Sequence, residues 1–508
     1  MDRVPISPRL PSLEGKVVYC IAQDKPVFTE ELARQLRKYA PGVKVVFKRK
    51  PGWIRTDDPE LRDEIEQKAD AMIYGTAMGG GSGLFAVGWI KEIEKRGVPS
   101  VYVVGGPFLP DVRVSAEMRG MPALRTVVVP LVGEERVTED ITDKQYSEIV
   151  SRIVEALTRP LTEEEKKAGR IFTEKPSRMA MTGTLDEVQD YFYEQRWSDG
   201  LPIVPPTEEK VQEMLKGTSH SADEVVTETM FPEELTVTVE KVAIVGVMAG
   251  CQPNYMPVLL AIVEAWGKGP IFIQAARSDS TFSFMIVVNG PVRNEIKMNP
   301  GTNAMGPGNQ ANAAIGRFLR LAIINLGGSW PGINDMSSQG SPTRYSFCFP
   351  EYEEESPWEP LHVSMGYKRE ESVVSVLAGG WCHWSFIGDI DLLAKAVAGF
   401  YWHRQSVVIL APRAARLYAA KGMSKEDVED YIWEHAATQL TDQKASWFRY
   451  EIPTMPSPDA SAPSEDVLLK DFPRGSVKVV VAGGDTSLPV AQAWQFNPPT
   501  TVSIDKWR

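Results

Sequence analysis

Over residues 1–160, short apolar runs alternate with segments whose apolar residues recur every three or four positions. The runs Lys16–Ala22, Val43–Lys48, Ala71–Thr76, Ser100–Gly105 and Leu124–Pro130 read as strands buried on both faces. Helical periodicity fills the gaps near residues 28–40, 59–68 and 83–96, with a last helix near 143–158. Strand–helix alternation implies a parallel sheet covered by helices on both sides. Right-handed crossovers then predict a doubly wound α/β domain.

Residues 161–180 are charged and lack apolar periodicity, so they read as a linker. Beyond it, residues 181–508 predict a larger α/β domain. Its first helix is announced by the capping box Thr184-Leu185-Asp186-Glu187. Leu201-Pro202-Ile203-Val204-Pro205-Pro206 reads as extended chain, and 452–470, rich in Pro, Ser and Asp, as a surface excursion. Three apolar runs end alike: Val242–Gly250, Val373–Gly380 and Val477–Gly484 each close on Ala-Gly. Read as strands, with Ile271–Ala275 and Val407–Ala411 as further strands, they suggest an internal duplication. Their ends would meet at one crevice, where open α/β sheets bind ligands.

Composition narrows the partners. The net charge is −12, from 55 basic and 67 acidic residues, which argues against nucleic acid or an anionic membrane surface. Apolar runs are short and the first residues lack a secretion-signal pattern, so a cytoplasmic protein is expected. Four cysteines, none closely paired, do not make a disulfide scaffold in a chain of 508 residues.

Cys251 stands out among them. If Val242–Gly250 is a strand and a helix starts at Pro253, the thiol sits in a helix's first turn. Backbone N–H groups and the helix dipole there would lower its pKa. The equally weighted alternative is an inert, packed cysteine. Further on, Asn299–Asn312 is rich in glycine and amides and leads into an apolar helix carrying Arg317 and Arg320. Such a loop offers backbone donors to a polar or anionic ligand, with Asn303, Gly308, Asn309, Asn312 and Arg317 as candidate contacts. It matches neither a P-loop nor a dinucleotide fingerprint. Asp335 and Ser337 lie in a second polar loop and join that substrate-binding set. Glu351, Glu354 and His362 flank Ser356-Pro357-Trp358-Glu359-Pro360 and are candidate acids and bases. The alternatives are a solvated acidic face and a structural histidine. Cys382, His383 and His403 fit no zinc spacing, so no metal site is expected. No particular cofactor is implied.

In the first domain, Gly75-Thr76-Ala77-Met78-Gly79-Gly80-Gly81-Ser82-Gly83 joins a strand to a helix. Gly79, Gly80 and Ser82 form a candidate anion loop. This loop, with Glu94-Lys95-Arg96-Gly97-Val98-Pro99 behind it, resembles the UGSC-motif proteins, a group of thiol or selenol proteins. In that group a cysteine or selenocysteine precedes Gly-Ser-Cys. Here Gly79 takes the first position and Ser82 that of the later cysteine, so the motif's redox pair is absent. Stretches of the second domain are similar to proteins found with that group: Ala249-Gly250-Cys251 through Pro257, Gly306-Pro307-Gly308-Asn309, Asp335-Met336-Ser337 and Ser356 through Val363. The resemblance implies a shared site rather than a particular reaction.

Together these readings lead to an enzyme acting on a small polar or anionic metabolite in the second domain. Cys251 would be nucleophile or redox thiol, in reduction or cleavage of a carbon–heteroatom bond. Cysteine-dependent hydrolysis or acyl transfer is the first alternative. A non-catalytic ligand-binding or assembly subunit is the second. A redox partner protein and a second copy of the chain are the macromolecular partners these readings admit.

Overall fold

The computed structural model describes residues 4–22, 26–50, 57–75, 80–130, 141–167, 178–269, 271–277, 282–385, 389–398, 405–435, 438–439, 468–469, 474–485, 489–495 and 498–508. Two compact units emerge. The first holds Met1–Met181 with Arg277–Ser280 and Ser329–Ser338, and the second holds the rest.

The first unit is built on five parallel strands: β1 (Val17–Ala22), β2 (Lys44–Arg49), β3 (Ala71–Tyr74), β4 (Ser100–Gly105) and β5 (Thr126–Val129). Their order is β2-β1-β3-β4-β5, which places the topological switch between β1 and β3. The helices are α1 (Pro26–Tyr39), α2 (Pro59–Lys68), α3 (Gly80–Lys95), α4 (Leu109–Met118) and α5 (Asp143–Thr158), followed by the short α6 (Glu163–Lys167). Successive strand residues point to opposite faces. Tyr19, Ile21, Met72 and Tyr102 meet Ile65, Val87, Ile90 and Val112 on one face. Val18, Cys20, Ile73 and Val101 meet Phe28, Leu32, Ile149 and Ile153 on the other. The doubly wound expectation therefore holds. One helix was not anticipated: α4, whose Pro110 sits near its start, where proline is well tolerated. The predicted linker is also partly structured, since Glu165 of α6 pairs with Arg125 at 2.9 Å.

The second unit opens with α7 (Leu185–Glu194), capped as the Thr184–Glu187 box predicts, and α8 (Glu208–Leu215). A small hairpin of β6 (Val225–Met230) and β7 (Leu235–Thr238) leads into α9 (Val239–Met248). A 3-10 turn at Pro253–Tyr255 then starts α10 (Met256–Lys268), and α11 (Ile271–Arg277) follows. The main sheet contains β8 (Ser283–Asn289), β9 (Cys348–Pro350), β10 (Val373–Ser385) and β11 (Gln405–Leu410). A minor pair is β12 (Thr438–Gln439) with β13 (Leu468–Leu469). The main sheet is completed by β14 (Val477–Val481), β15 (Pro489–Gln495) and β16 (Thr500–Ser503). Its order is β14-β11-β15-β10-β8-β9, with β16 pairing beside β15 on β10. The remaining helices are α12 (Val292–Glu295), α13 (Gln310–Asn325), α14 (Leu361–Ser364), α15 (Ile390–Ala398), α16 (Pro412–Ala420) and α17 (Lys425–His435).

Two expectations are corrected here. Val242–Gly250 is not a strand but most of α9 and its C-terminal turn, and Ile271–Ala275 is helical too. The apolar residues of α9 are buried nearly all round, so the run shows no helical stripe although it is a helix. The duplication consequently has no structural counterpart in its first segment. Among the described residues, no helix is long and apolar enough to cross a membrane.

Candidate functional site

Cys251 lies after α9 and before the 3-10 turn. Gly250 adopts φ +79°, the left-handed conformation favoured by glycine at a helix end. The Cys251 N–H donates to Gly246 O at 3.0 Å, and the Gly250 N–H to Val247 O at 2.9 Å. This double bond pattern is a Schellman motif. The cysteine thus completes a helix C-terminus, where the dipole disfavours an anion. Part of the residue is exposed, yet its thiol lies deep. Burial pushes that thiol well above the usual thiol range, and the Arg317 guanidinium opposes this only in part. The expected low-pKa thiolate is therefore overturned by desolvation, at a helix end whose polarity offers no help to an anion.

The structure instead supplies Cys251 with a neighbour that sequence reasoning missed. Burial pushes the thiol of Cys348, on β9, well above the usual thiol range, and coupling to the Cys251 thiol adds to the rise. Tyr255 is raised by burial and by the same cysteine. A Cβ on Gly316 of α13 would lie 3.2 Å from Cys348 Cβ, so helix and strand meet closely. Gln252 Nε2 donates to Gln310 Oε1 at 2.9 Å, joining the chain beside Cys251 to the first turn of α13.

That loop is largely stitched to itself. Asn309 caps α13 by accepting from Asn312 N at 3.0 Å and donates to Lys297 O at 2.9 Å. Asn312 is buried, accepts from Asn299 N and donates to the carbonyls of Asn299 and Ala304. Asn303 has φ +63° and donates to Pro307 O at 2.5 Å, while Gly308 is exposed with φ +122°. Arg317 is engaged too: Nε and Nη2 reach the Asp199 carboxylate at 2.8 and 2.9 Å. Asp335 and Ser337 belong to the first unit, whereas the Asn303–Arg317 set belongs to the second.

The acid–base candidates form a separate group. Glu351 and His362 are wholly buried. Glu351 Oε2 accepts from Asn289 Nδ2 at 2.6 Å and from Leu361 N at 2.7 Å. Its Oε1 has no hydrogen-bond partner among the described residues and stands 4.0 Å from Lys425 Nζ. His362 Nε2 donates to the Arg369 carbonyl at 3.4 Å, and its Nδ1 has no hydrogen-bond partner among the described residues. Buried Arg293 contacts Glu353 at 3.0 Å and Glu354 at 3.1 Å and donates to Glu351 O. Burial would raise Glu354, but hydrogen bonds from Arg293 and its own N–H bring it below the usual carboxylate range. It is an ion-pair member at neutral pH, not a proton donor.

Register shows why the two groups do not converge. Ile286 pairs with Cys348 and Val287 with Phe349. Val287 and Phe349 pack with Leu361, Val407 and Val480 on one face of the sheet. Phe284, two residues before Ile286, packs edge-on against Trp266 of α10 on the other. Cys348 shares this helical face, while Asn289 and Glu351 follow the Val287–Phe349 face. Cys251 and the Glu351–His362 pair are thus on opposite sides of β9. Among the described residues, no His/Cys/Asp/Glu group suited to a metal occurs. The side chains of Cys382 and His383, and all of His403, lie outside the described residues, as does Gly79. Gly80 and Ser82 open α3, and the Ser82 side chain is likewise outside them.

The first unit is a doubly wound α/β module built on five parallel strands. Residues 1–159 match the family model of the UGSC family, so this part of the chain resembles that group. No curated protein and no solved structure matches the chain.

Proposed function

We propose that the second unit is a thiol-dependent reductase of a small polar or anionic metabolite. Cys251 meets the substrate and Cys348 completes a redox pair. The observation that carries this reading is the approach of two cysteines from distant parts of the chain: Cys348 packs against α13 at Gly316, Gln252 beside Cys251 bonds to Gln310 of the same helix, and the two thiols are electrostatically coupled. The reaction balances as a two-electron step. The two thiols give up two protons and two electrons and become a disulfide. The substrate's carbon–heteroatom bond breaks, and its two ends each take a hydrogen. A dithiol partner protein then reduces the disulfide, which fits a reducing compartment such as the cytoplasm. Hydrolysis or acyl transfer is less well supported, because it needs a base beside the thiol and the charged neighbour is Arg317.

A second reading, a non-catalytic binding or assembly subunit, has its own support. Burial holds both thiols protonated, and the polar side chains of the 299–312 loop bind each other. Redox titration separates the two. The pair should oxidise together in thiol–disulfide buffers, with a midpoint within about −270 to −120 mV, the span of working dithiol proteins. Two thiols that stay reduced across that span would favour the binding reading.

A further inference from the structure

Residues 504–508 form a hook on the second unit, with a 3-10 turn at Asp505–Trp507. The Ile504 N–H donates to Ser372 O at 2.7 Å, and Asp505 Oδ2 accepts from the Ser372 N–H at 2.8 Å. Trp507 is buried, and its Nε1 donates to Glu264 Oε2 of α10 at 2.8 Å. The segment before β6 holds the hook by three further bonds. Thr218 Oγ1 donates to Trp507 O at 2.7 Å, and Ser219 Oγ donates to Arg508 O. His220 makes the third: its Nε2 lies 2.8 Å from Lys506 O. Its Nδ1 lies 2.8 Å from Glu224 Oε1, and its ring centre is 4.8 Å from that of Trp507. The His220 side chain is 23% exposed, so protons reach it from solvent.

A carbonyl oxygen and a carboxylate oxygen only accept hydrogen bonds. An imidazole that meets one at each ring nitrogen has to donate from both, which requires the doubly protonated ring. We infer that His220 is a proton-dependent clasp: its imidazolium form ties Glu224 to Lys506 O and so holds the hook. When the ring loses a proton, one donor remains for two acceptors. The carboxylate is the stronger acceptor, so Nδ1 keeps the proton and Lys506 O is released. With Glu224 ionised, the clasp is closed at the acid end of the imidazole range and opens as pH rises. The other charged groups around the hook are tied to one another. Lys506 Nζ and Lys268 Nζ reach Glu264 Oε1 at 2.5 and 2.6 Å. Burial would raise Glu264, but hydrogen bonds from Lys268, Lys506 and Trp507 bring it below the usual carboxylate range. Arg508 Nε donates to Asp505 Oδ1 at 2.8 Å and Nη1 to Glu295 Oε2 at 2.7 Å, and these bonds raise the guanidinium pKa further. Arg508 also lines, with Lys216, Asn254 and Glu295, a cavity of about 460 Å³, so release of the hook frees one wall of it. The clasp does not depend on the thiol-pair reading.

The test is hydrogen–deuterium exchange of the full chain across about pH 5 to pH 8, where imidazoles titrate, with rates corrected for the intrinsic pH dependence of exchange. The peptide covering Lys506–Arg508 should lose about tenfold in protection from the acid to the alkaline end, the scale of one charged hydrogen bond. His220→Gln carries its donors on a single atom and cannot span both acceptors, so the hook should exchange fast at every pH. Glu224→Gln makes the opposite forecast. Its amide can donate to Nδ1 of a neutral ring while Nε2–H still donates to Lys506 O, so protection should persist to about pH 8. This variant keeps the test decisive if His220→Gln does not fold. Wild-type protection that stays flat with pH overturns the inference. So does a Glu224→Gln hook that loosens with pH as the wild type does, because another group would then be titrating.

Discussion

At the scale of single residues, the position of a thiol relative to a helix end decides its chemistry. A helix start would have made Cys251 a thiolate; the Schellman turn makes it a buried thiol. Its neighbour Gly250 is essential to that turn, since a side chain at φ +79° is strained. Gly250→Ala should cost about 1 kcal/mol of stability, read by chemical denaturation. A neutral substitution would mean that the turn is not as described. The sequence marked Cys251 through the wrong element. It carried no sign of Cys348, because its importance comes only from packing across α13. Asn309 and Asn312 were visible as amide-rich, but not that their amides close the loop they belong to.

At the scale of elements, legibility depended on burial pattern. The central strands β1, β3 and β4 are buried on both faces, the edge strand β2 is only half-buried, and amphipathic helices space them, so each apolar run had one reasonable assignment. The α9 run, Val242 to Met248, is just as apolar and β-branched, and it folds as a helix because neighbours surround it. One position tests that surrounding. A Cβ on Gly246 would stand 2.8 Å from Leu259 Cδ1 and 3.1 Å from Met214 Cε. Gly246→Ala gains helix propensity but forces the ends of the Leu259 and Met214 side chains to move within a packed seam, for a net loss of about 1 kcal/mol. A more stable variant, by the same denaturation assay, would contradict the packing described between α8, α9 and α10. The Asn289–Glu351–Arg293–Glu353 group was legible only as charge, since which carboxylates turn inward is fixed by β8 and β9 pairing.

At the scale of the whole molecule, the two units carry different kinds of evidence. The first matches a family and has the expected sheet. It also yields a pH prediction. Burial alone would raise Glu165, but hydrogen bonds from Arg125 and the Thr162 N–H outweigh it and bring the pKa down to about 2 from 4.5. A depressed carboxylate stabilises the folded state above its unfolded pKa and loses that contribution as pH falls through its folded value. Glu165→Gln should therefore lower the melting temperature near pH 7, with the deficit closing between about pH 4.5 and pH 2. A deficit independent of pH would remove the ion pair from the explanation. The second unit holds the central claim, that Cys251 and Cys348 work together. The most direct measurement is native oxidation with diamide followed by non-reducing peptide mapping. The account predicts one reversible product, a Cys251–Cys348 disulfide, with buried Cys20 left free. Cys251 and Cys348 both recovered as unlinked thiols would contradict it.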